Sequence, residues 1–212
     1  MKPTPATALQ LLHRASSGAL ATHATQMPGY PFATALPFVP DELHRPVFLV
    51  STLAEHTKNL VANPHASFLL TDPQAPDVLD APRMTIIGDA TRLEPSPGLV
   101  ARFVRYQPQA EQYLALGDFS FYALSPKRVR YIAGFAKMGW IEESEWFDVK
   151  PLALAEEARL VTKLDGRLPT NIRVLGIDRY GIDLIREGVR ERKTFSGPLP
   201  DEELARELEQ LP

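Results

Sequence analysis

The sequence predicts a mainly β protein with an α+β tail: a β-barrel over residues 1–145, then a small α+β domain over residues 151–212. Two observations carry that prediction. About six apolar runs of strand length recur before residue 136, joined by connections too short for the crossovers that parallel strands need. Past an acidic stretch at 142–150 the order changes to helix, three strands, helix.

Thr4 followed by Pro5 reads as an N-cap and first helical residue, and Leu9, Leu12 and Ala15 recur at helical spacing until Gly18. This predicts a short amphipathic lid helix. Apolar runs at 19–24, 32–39 and 47–51 then read as an antiparallel meander, with turns at Met27-Pro28-Gly29 and Val39-Pro40-Asp41. A helix over 54–62 stops before Asn63-Pro64, because the residue ahead of a proline avoids helical backbone. Strands follow at 66–71 and 84–93, the second long enough to bend at Gly88. Between them, 73–82 holds three prolines and reads as a surface loop. Helices are expected over 97–106 and 109–116, and strands at 119–124 and 129–135, where Gly134 breaks the pattern.

In the tail, a helix is expected over 152–164, strands at 172–177, 182–185 and 189–195, and a helix from Asp201 to Leu211 with acidic residues in its first turn. The turns Asp178-Arg179-Tyr180-Gly181 and Glu187-Gly188 carry residues that hairpins place at positive φ. A unit of about 60 residues is marginal alone, so it should dock on the barrel.

Composition narrows the function. Hydrophobic residues make up 44% and charged residues 23% of the 212, which is ordinary for a globular protein. The net charge of −3 is evenly spread, with 13 basic and 14 acidic residues in 1–150 and 10 and 12 in 151–212. Neither half offers the basic face that nucleic acid or anionic lipid recognises. The absence of cysteine removes disulfides, thiolate catalysis, iron–sulfur clusters and thiolate zinc sites. No run of 18 apolar residues occurs and Met1–Gln10 lacks a leader-like apolar segment, so a soluble cytoplasmic protein with no membrane contact is expected.

No Walker loop, G-x-G-x-x-G, G-x-S-x-G or H-E-x-x-H string is present, which sets aside nucleotide-triphosphate and serine-hydrolase chemistry. The five histidines, His13, His23, His44, His56 and His65, all lie in the first third. No two share ligand spacing on one helix face, so no metal is expected.

The stretch Val47 to Ala66, VFLVSTLAEHTKNLVANPHA, is the informative one. Thr52 and Glu55 have the spacing of a capping box, which predicts free backbone N–H groups and the positive end of a helix just past a strand. A phosphate would be welcome there, bonded by the hydroxyls of Ser51, Thr52 and Thr57, the imidazole of His56 and the ammonium of Lys58. On spacing alone an alternative stays open, in which Thr52 merely caps a helix whose polar face turns His56, Lys58 and Asn59 to water.

Together with PRMTIIGDATRL at Pro82 to Leu93, the string VFLVSTLAEHTKNLVANPHASFLL resembles the pyridoxamine 5'-phosphate oxidase-like FMN-binding split barrels, in particular their haem-utilisation branch. GALAT at 18–22, YPFATALPF at 30–38, GDFSFYAL at 117–124 and RVRYIAGF at 128–135 extend the likeness over nearly all of the first 140 residues. The resemblance implies a homodimer with FMN at its interface. It implies phosphate at His56, Thr57 and Lys58, the ring and ribityl chain against Thr34, Ala35 and Leu36, Arg83 at the ring edge, and Ser51 closing the pocket. It also implies that Lys137 or Trp140 reaches the partner's site. The oxidase members' arginine near Thr34 and lysine near His56 have no counterpart here, so the phosphate grip rests on Lys58 and Arg83.

VLGIDRYGIDL at Val174 to Leu184 resembles the small C-terminal domain of the same branch, yet no histidine follows His65 to act as that domain's haem ligand. No side chain stands out as a general acid or base. The implied function is a flavin-dependent oxidoreductase acting on a small molecule; the alternative is a non-catalytic FMN- or haem/tetrapyrrole-binding protein linked to haem utilisation.

Overall fold

The computed structural model describes residues 2–75, 77, 80–133 and 138–210. The expected break at Gly134, the reach of Lys137 and the helix end at Leu211 lie outside these residues. Helix α1 (Pro5–Arg14) starts as its sequence predicts, with the Thr4 side chain accepting from the Thr7 N–H and Pro5 in the first turn. It is not a lid. Ala8, Leu9, Leu11 and Leu12 are fully buried in the main core, because the apolar residues wrap more than one face of the helix.

The large sheet is built from β1 (Ser17–His23), β2 (Pro31–Pro37), β3 (Val39–Pro40), β4 (Pro46–Ser51), β5 (His65–Thr71), β6 (Pro82–Leu93), β7 (Phe119–Ala133) and β8 (Met138–Glu142). Its order is β2-β1-β5-β6-β7-β4-β3, every pair antiparallel, with β8 also paired to β7. The 15-residue β7 therefore shares one edge between β4, at 119–123, and β8, at 128–132.

Three expectations change here. The first three runs do not form one meander: β1 and β2 are a hairpin, but Phe38 sinks into the core after β2 and β4 pairs with β7 instead. The two runs at 119–124 and 129–135 are one strand that tolerates Pro126. The sheet curls into a half-barrel and does not close, since β2 and β3 end it and prolines 31, 37, 40 and 46 remove N–H donors there. The bend at Gly88 is present as a register shift between Ile87 and Gly88 against β7. Inside the curl, Phe68 meets Phe38 and Phe48 edge to face, with ring centres 5.1 and 5.0 Å away.

Helix α2 (Glu55–Ala62) follows β4, and α3 (Pro97–Tyr106) and α4 (Ala110–Ala115) connect β6 to β7. A short α5 (Glu143–Phe147) closes the first part with a capping box formed by Glu142 and Glu145, and it buries Trp146. The tail runs α6 (Leu154–Asp165), β9 (Ile172–Asp178), β10 (Gly181–Arg186), β11 (Val189–Thr194) and α7 (Asp201–Glu209), the strands forming their own antiparallel sheet. Glu187 and Gly188 take the positive φ a tight hairpin needs, at 51° and 82°. The turn at 179–180 takes none, so that expectation fails. The tail has its own core around Leu160, Val174, Ile182 and Leu204, and a second apolar cluster joins Leu175 to Val39, Val47, Phe103 and Phe121 of the first part.

Candidate functional site

The corner between β4 and α2 is tied down by Asp118. Ser51 Oγ donates to Asp118 Oδ2 at 2.6 Å and accepts the Leu53 N–H at 3.1 Å, while the Thr52 N–H donates to the Asp118 carbonyl at 2.9 Å. These bonds carry the chain past Thr52 before the helix begins. The capping box expected at Thr52 and Glu55 is therefore absent: Ala54 is the N-cap, with no side-chain bond, and Thr52 is exposed.

His56 and Thr57 are buried, and His56 Nε2 and Thr57 Oγ1 have no hydrogen-bond partner among the described residues. Burial lowers the His56 pKa from its ordinary value. Lys58 is exposed, with its ammonium 3.9 Å from Glu55. Two carboxylates, Glu55 and Asp118, thus stand at the corner expected to take a dianion, and both oppose one.

The remaining expected residues fall in two other places. On β2, alternation turns Thr34 and Leu36 toward the interior, in the rows of Leu20 and Gly18, and Ala35 toward the outer face. The row of Ala35 continues across the sheet through Ala19, Leu69, Thr85 and Arg130 to Trp140. Arg83 shares this outer face, two residues from Thr85 on β6. Three strand spacings, about 14 Å, separate β2 from β6, so one chain alone does not bring Ala35 against Arg83. Helix α2 packs against β1 and β2, so the α2 corner and the β2 edge adjoin, whereas Arg83 and the β6–β8 face stand apart from the β2 edge.

Side chains the sequence reading passed over complete the outer face. Arg128 and Arg130 both lie against the ring of Trp140, 4.4 and 5.4 Å from its centre. Arg128 is paired with Glu142 at 2.8 Å, whereas the Arg130 guanidinium has no hydrogen bond among the described residues. Around them Leu69, Ile87 and Met138 expose 41%, 42% and 49% of their surface, an apolar strip rimmed by cations. The period-two spacing of Arg128 and Arg130 was the available signal. Farther along the same face an open cavity of about 390 Å³ lies between the β1–β2 hairpin and β5–β6, lined by His23, Tyr30, His65, Ser67 and Ile87 among others.

A second polar cluster is buried where the tail meets the half-barrel. His13 Nδ1 lies 2.7 Å from Asp183 Oδ2, and His13 Nε2 lies 3.0 Å from His44 Nδ1. With Asp183 ionised, His13 donates to it and accepts from His44, which leaves His44 Nε2 as a buried lone pair without a partner. Tyr106 donates its hydroxyl to the same Asp183 oxygen, Arg192 pairs with both Asp183 and Asp178 at 2.7 and 2.9 Å, and Arg102 pairs with Glu157.

Burial, followed by the charge of Arg192, lowers the His13 pKa against the pull of the two aspartates, and burial drives His44 down to about 3. Burial also opposes the charge of Asp183, but Arg192 and His13 outweigh it and hold that carboxyl well below the usual range. Donor atoms of His13, His44 and Asp178 come within 4.8 Å of one another, a grouping that spacing along the chain could not show. Arg192 already supplies the positive charge between the carboxylates, so the cluster ties the tail to the half-barrel as a latch, with His44 Nε2 left over.

The profile of the CREG β-barrel family matches residues 1–148. Among curated proteins the chain is similar to the non-canonical heme oxygenase HOZ, chloroplastic, of Arabidopsis thaliana, 33% identical over 159 residues that make up 72% of this chain and 48% of that protein. The chain thus spans about half the length of that relative. Among solved structures, a heme binding protein from Mycobacterium smegmatis is 24% identical, with all of both chains covered and a TM-score of 0.65. A protein of the pyridoxinephosphate oxidase family from Clostridium acetobutylicum is 15% identical over 67% of this chain and 96% of its own, with a TM-score of 0.51. These two likenesses show the fold, a split barrel of the pyridoxamine-phosphate-oxidase-like kind.

Proposed function

The chain belongs to the CREG β-barrel family, and from that premise we propose that it binds haem, or a closely similar tetrapyrrole, on the outer face of the large sheet. One observation carries the reading: Trp140 is flanked by Arg128 and Arg130, and beside this cationic group lies an exposed apolar strip of Leu69, Ile87 and Met138. A planar, apolar ring with carboxylates at one edge has the matching chemistry. The strip removes ring surface from water, and guanidinium forks bond carboxylates bidentately. Arg130, with no hydrogen bond of its own among the described residues, has donors to spare. The similarity to a heme oxygenase at 33% identity supports the same choice.

When bound, haem supplies a redox-active iron and its conjugated ring. The chain's own residues bind the carboxylates, orient the ring and exclude water from one of its faces. A second copy packing on the same apolar strip would cover the other side, so a two-fold homodimer is part of the proposal.

FMN is the second reading. His56 Nε2 and Thr57 Oγ1, buried without partners at the first turn of α2, favour it, and Glu55 and Asp118 oppose it. Titration of the full-length protein with haemin and, separately, with FMN tests the two. Saturable binding of haemin that weakens at least tenfold in Arg130→Ala with Trp140→Ala is expected. Saturable FMN binding lost in Lys58→Ala, with no saturable haemin binding, would overturn the haem reading in favour of the flavin one.

A further inference from the structure

We propose that His65 is the ligand this chain offers to haem iron, an inference that rests on haem binding at the outer face. Elimination comes first. The chain has no cysteine, and imidazole is the commonest protein ligand for transition metals. Of the five histidines, His13 and His44 are buried and hydrogen-bonded to each other, and His13 also to Asp183. His56, in the first turn of α2, is 9% exposed. His23 and His65 remain, both exposed and both lining the 390 Å³ cavity on the outer face.

The sheet register places them together. The β1–β5 pairing ends with Ala21 opposite Ser67; His23 and His65 each lie two residues beyond that pair, so alternation puts both on the same face, at the cavity they line. On its other side His65 is opposite Asp89. Strands β1, β5 and β6 therefore present imidazole, imidazole and carboxylate on one face beside an open cavity.

The carboxylate decides between the two imidazoles. Metal-ligating histidines characteristically give their other ring N–H to a carboxylate or carbonyl, which orients the ring and raises its basicity. His65 Nε2 lies 3.7 Å from Asp89 Oδ1, longer than a hydrogen bond but close enough for a small ring rotation to make one, and no hydrogen bond engages its Nδ1 among the described residues. His23 has no such carboxylate among them. Reach is also suitable. From His65 to Arg128 is two strand spacings and one register step on the same face, about 12 Å between Cα atoms, passing over Ser67 and Ile87. A ring whose metal sits at His65 and whose edge carries carboxylates can lie on this strip and still engage the arginines.

The test uses the full-length protein, haemin and metal-free protoporphyrin IX, with binding read by quenching of tryptophan fluorescence and ligation by the Soret band and electron paramagnetic resonance. In wild type, an imidazole-ligated ferric spectrum is expected. His65→Ala should weaken haemin at least tenfold, lose that signature and regain it with added imidazole, while protoporphyrin IX binds within twofold of wild type. His23→Ala should keep the signature and the affinity within twofold.

If His65→Ala binds haemin with the wild-type spectrum, the inference falls and the haem reading stands. If His65→Ala loses protoporphyrin IX as well, the side chain serves the ring or the fold and the inference again falls. If wild type binds neither compound, both readings fall together.

Discussion

Two pairs of histidines show how one residue type takes opposite roles in the same chain. His13 and His44 meet in a buried junction between α1, the β3–β4 turn and the tail sheet, where most polar atoms are bonded to a neighbour. His23 and His65 stand on adjacent strands at the rim of an open cavity, both exposed. The first pair is expected to carry stability, and of the second pair His65 is expected to carry binding. The difference lies in the partners that surround each ring: buried polar groups are costly unless satisfied, while an exposed one is free to take a ligand.

The largest effect that could break this comparison is at Asp183, which accepts from His13, Tyr106 and Arg192 at once. Asp183→Ala leaves a buried guanidinium and two rings short of partners and should cost about 3 to 5 kcal/mol, read by urea unfolding. A loss under about 1 kcal/mol would show that the junction does not hold the tail in place.

Acid should act next. The folded pKa values of His13 and His44 lie below the ordinary 6.5, so the unfolded chain binds more protons once pH drops beneath that value. Stability is therefore full above about 6.5 and is lost as pH falls below it, for His44 down to about 3, with a slope of up to about 1.4 kcal/mol per pH unit from each histidine. The depressed carboxyls of Asp178 and Asp183 continue the loss below their ordinary 3.8. Unfolding series at several pH values check this, and a His44→Gln variant whose slope between pH 6 and 4 matched wild type would contradict it.

The smallest effect sharpens the contrast from the other side. His23→Ala and His65→Ala remove exposed rings and should each change unfolding free energy by no more than about 0.5 kcal/mol. A cost above 2 kcal/mol at either position, in the same urea assay, would mean that the rim pair is structural too.

Much of this was legible in the sequence where the signal is local. Thr4-Pro5 marked the start of α1, Asn63-Pro64 the end of α2, and Glu187-Gly188 the tail hairpin, each through backbone preferences of the residues themselves. The capping-box reading at Thr52 failed because a residue 66 positions away, Asp118, takes the Thr52 N–H through its carbonyl and the Ser51 hydroxyl through its carboxylate. β8 was missed because its five residues, Met138–Glu142, have no alternation of their own to declare a strand; they pair because β7 offers a free edge. Arg128 and Arg130 were visible as residues, but their meeting with Trp140 is a matter of which strands lie side by side.

What the sequence by itself determined was the inventory and the local grammar: a half-barrel's worth of strands, a separate α+β tail, no thiols, and five imidazoles all before residue 66. Those follow from composition, periodicity and turn chemistry, which act over a few residues. The tertiary structure alone decided which imidazoles are buried and which are open, and that the arginines share a face with the cavity. That choice depends on strand register and on packing across 31 to 170 residues of chain, and short-range preferences carry no information over such distances.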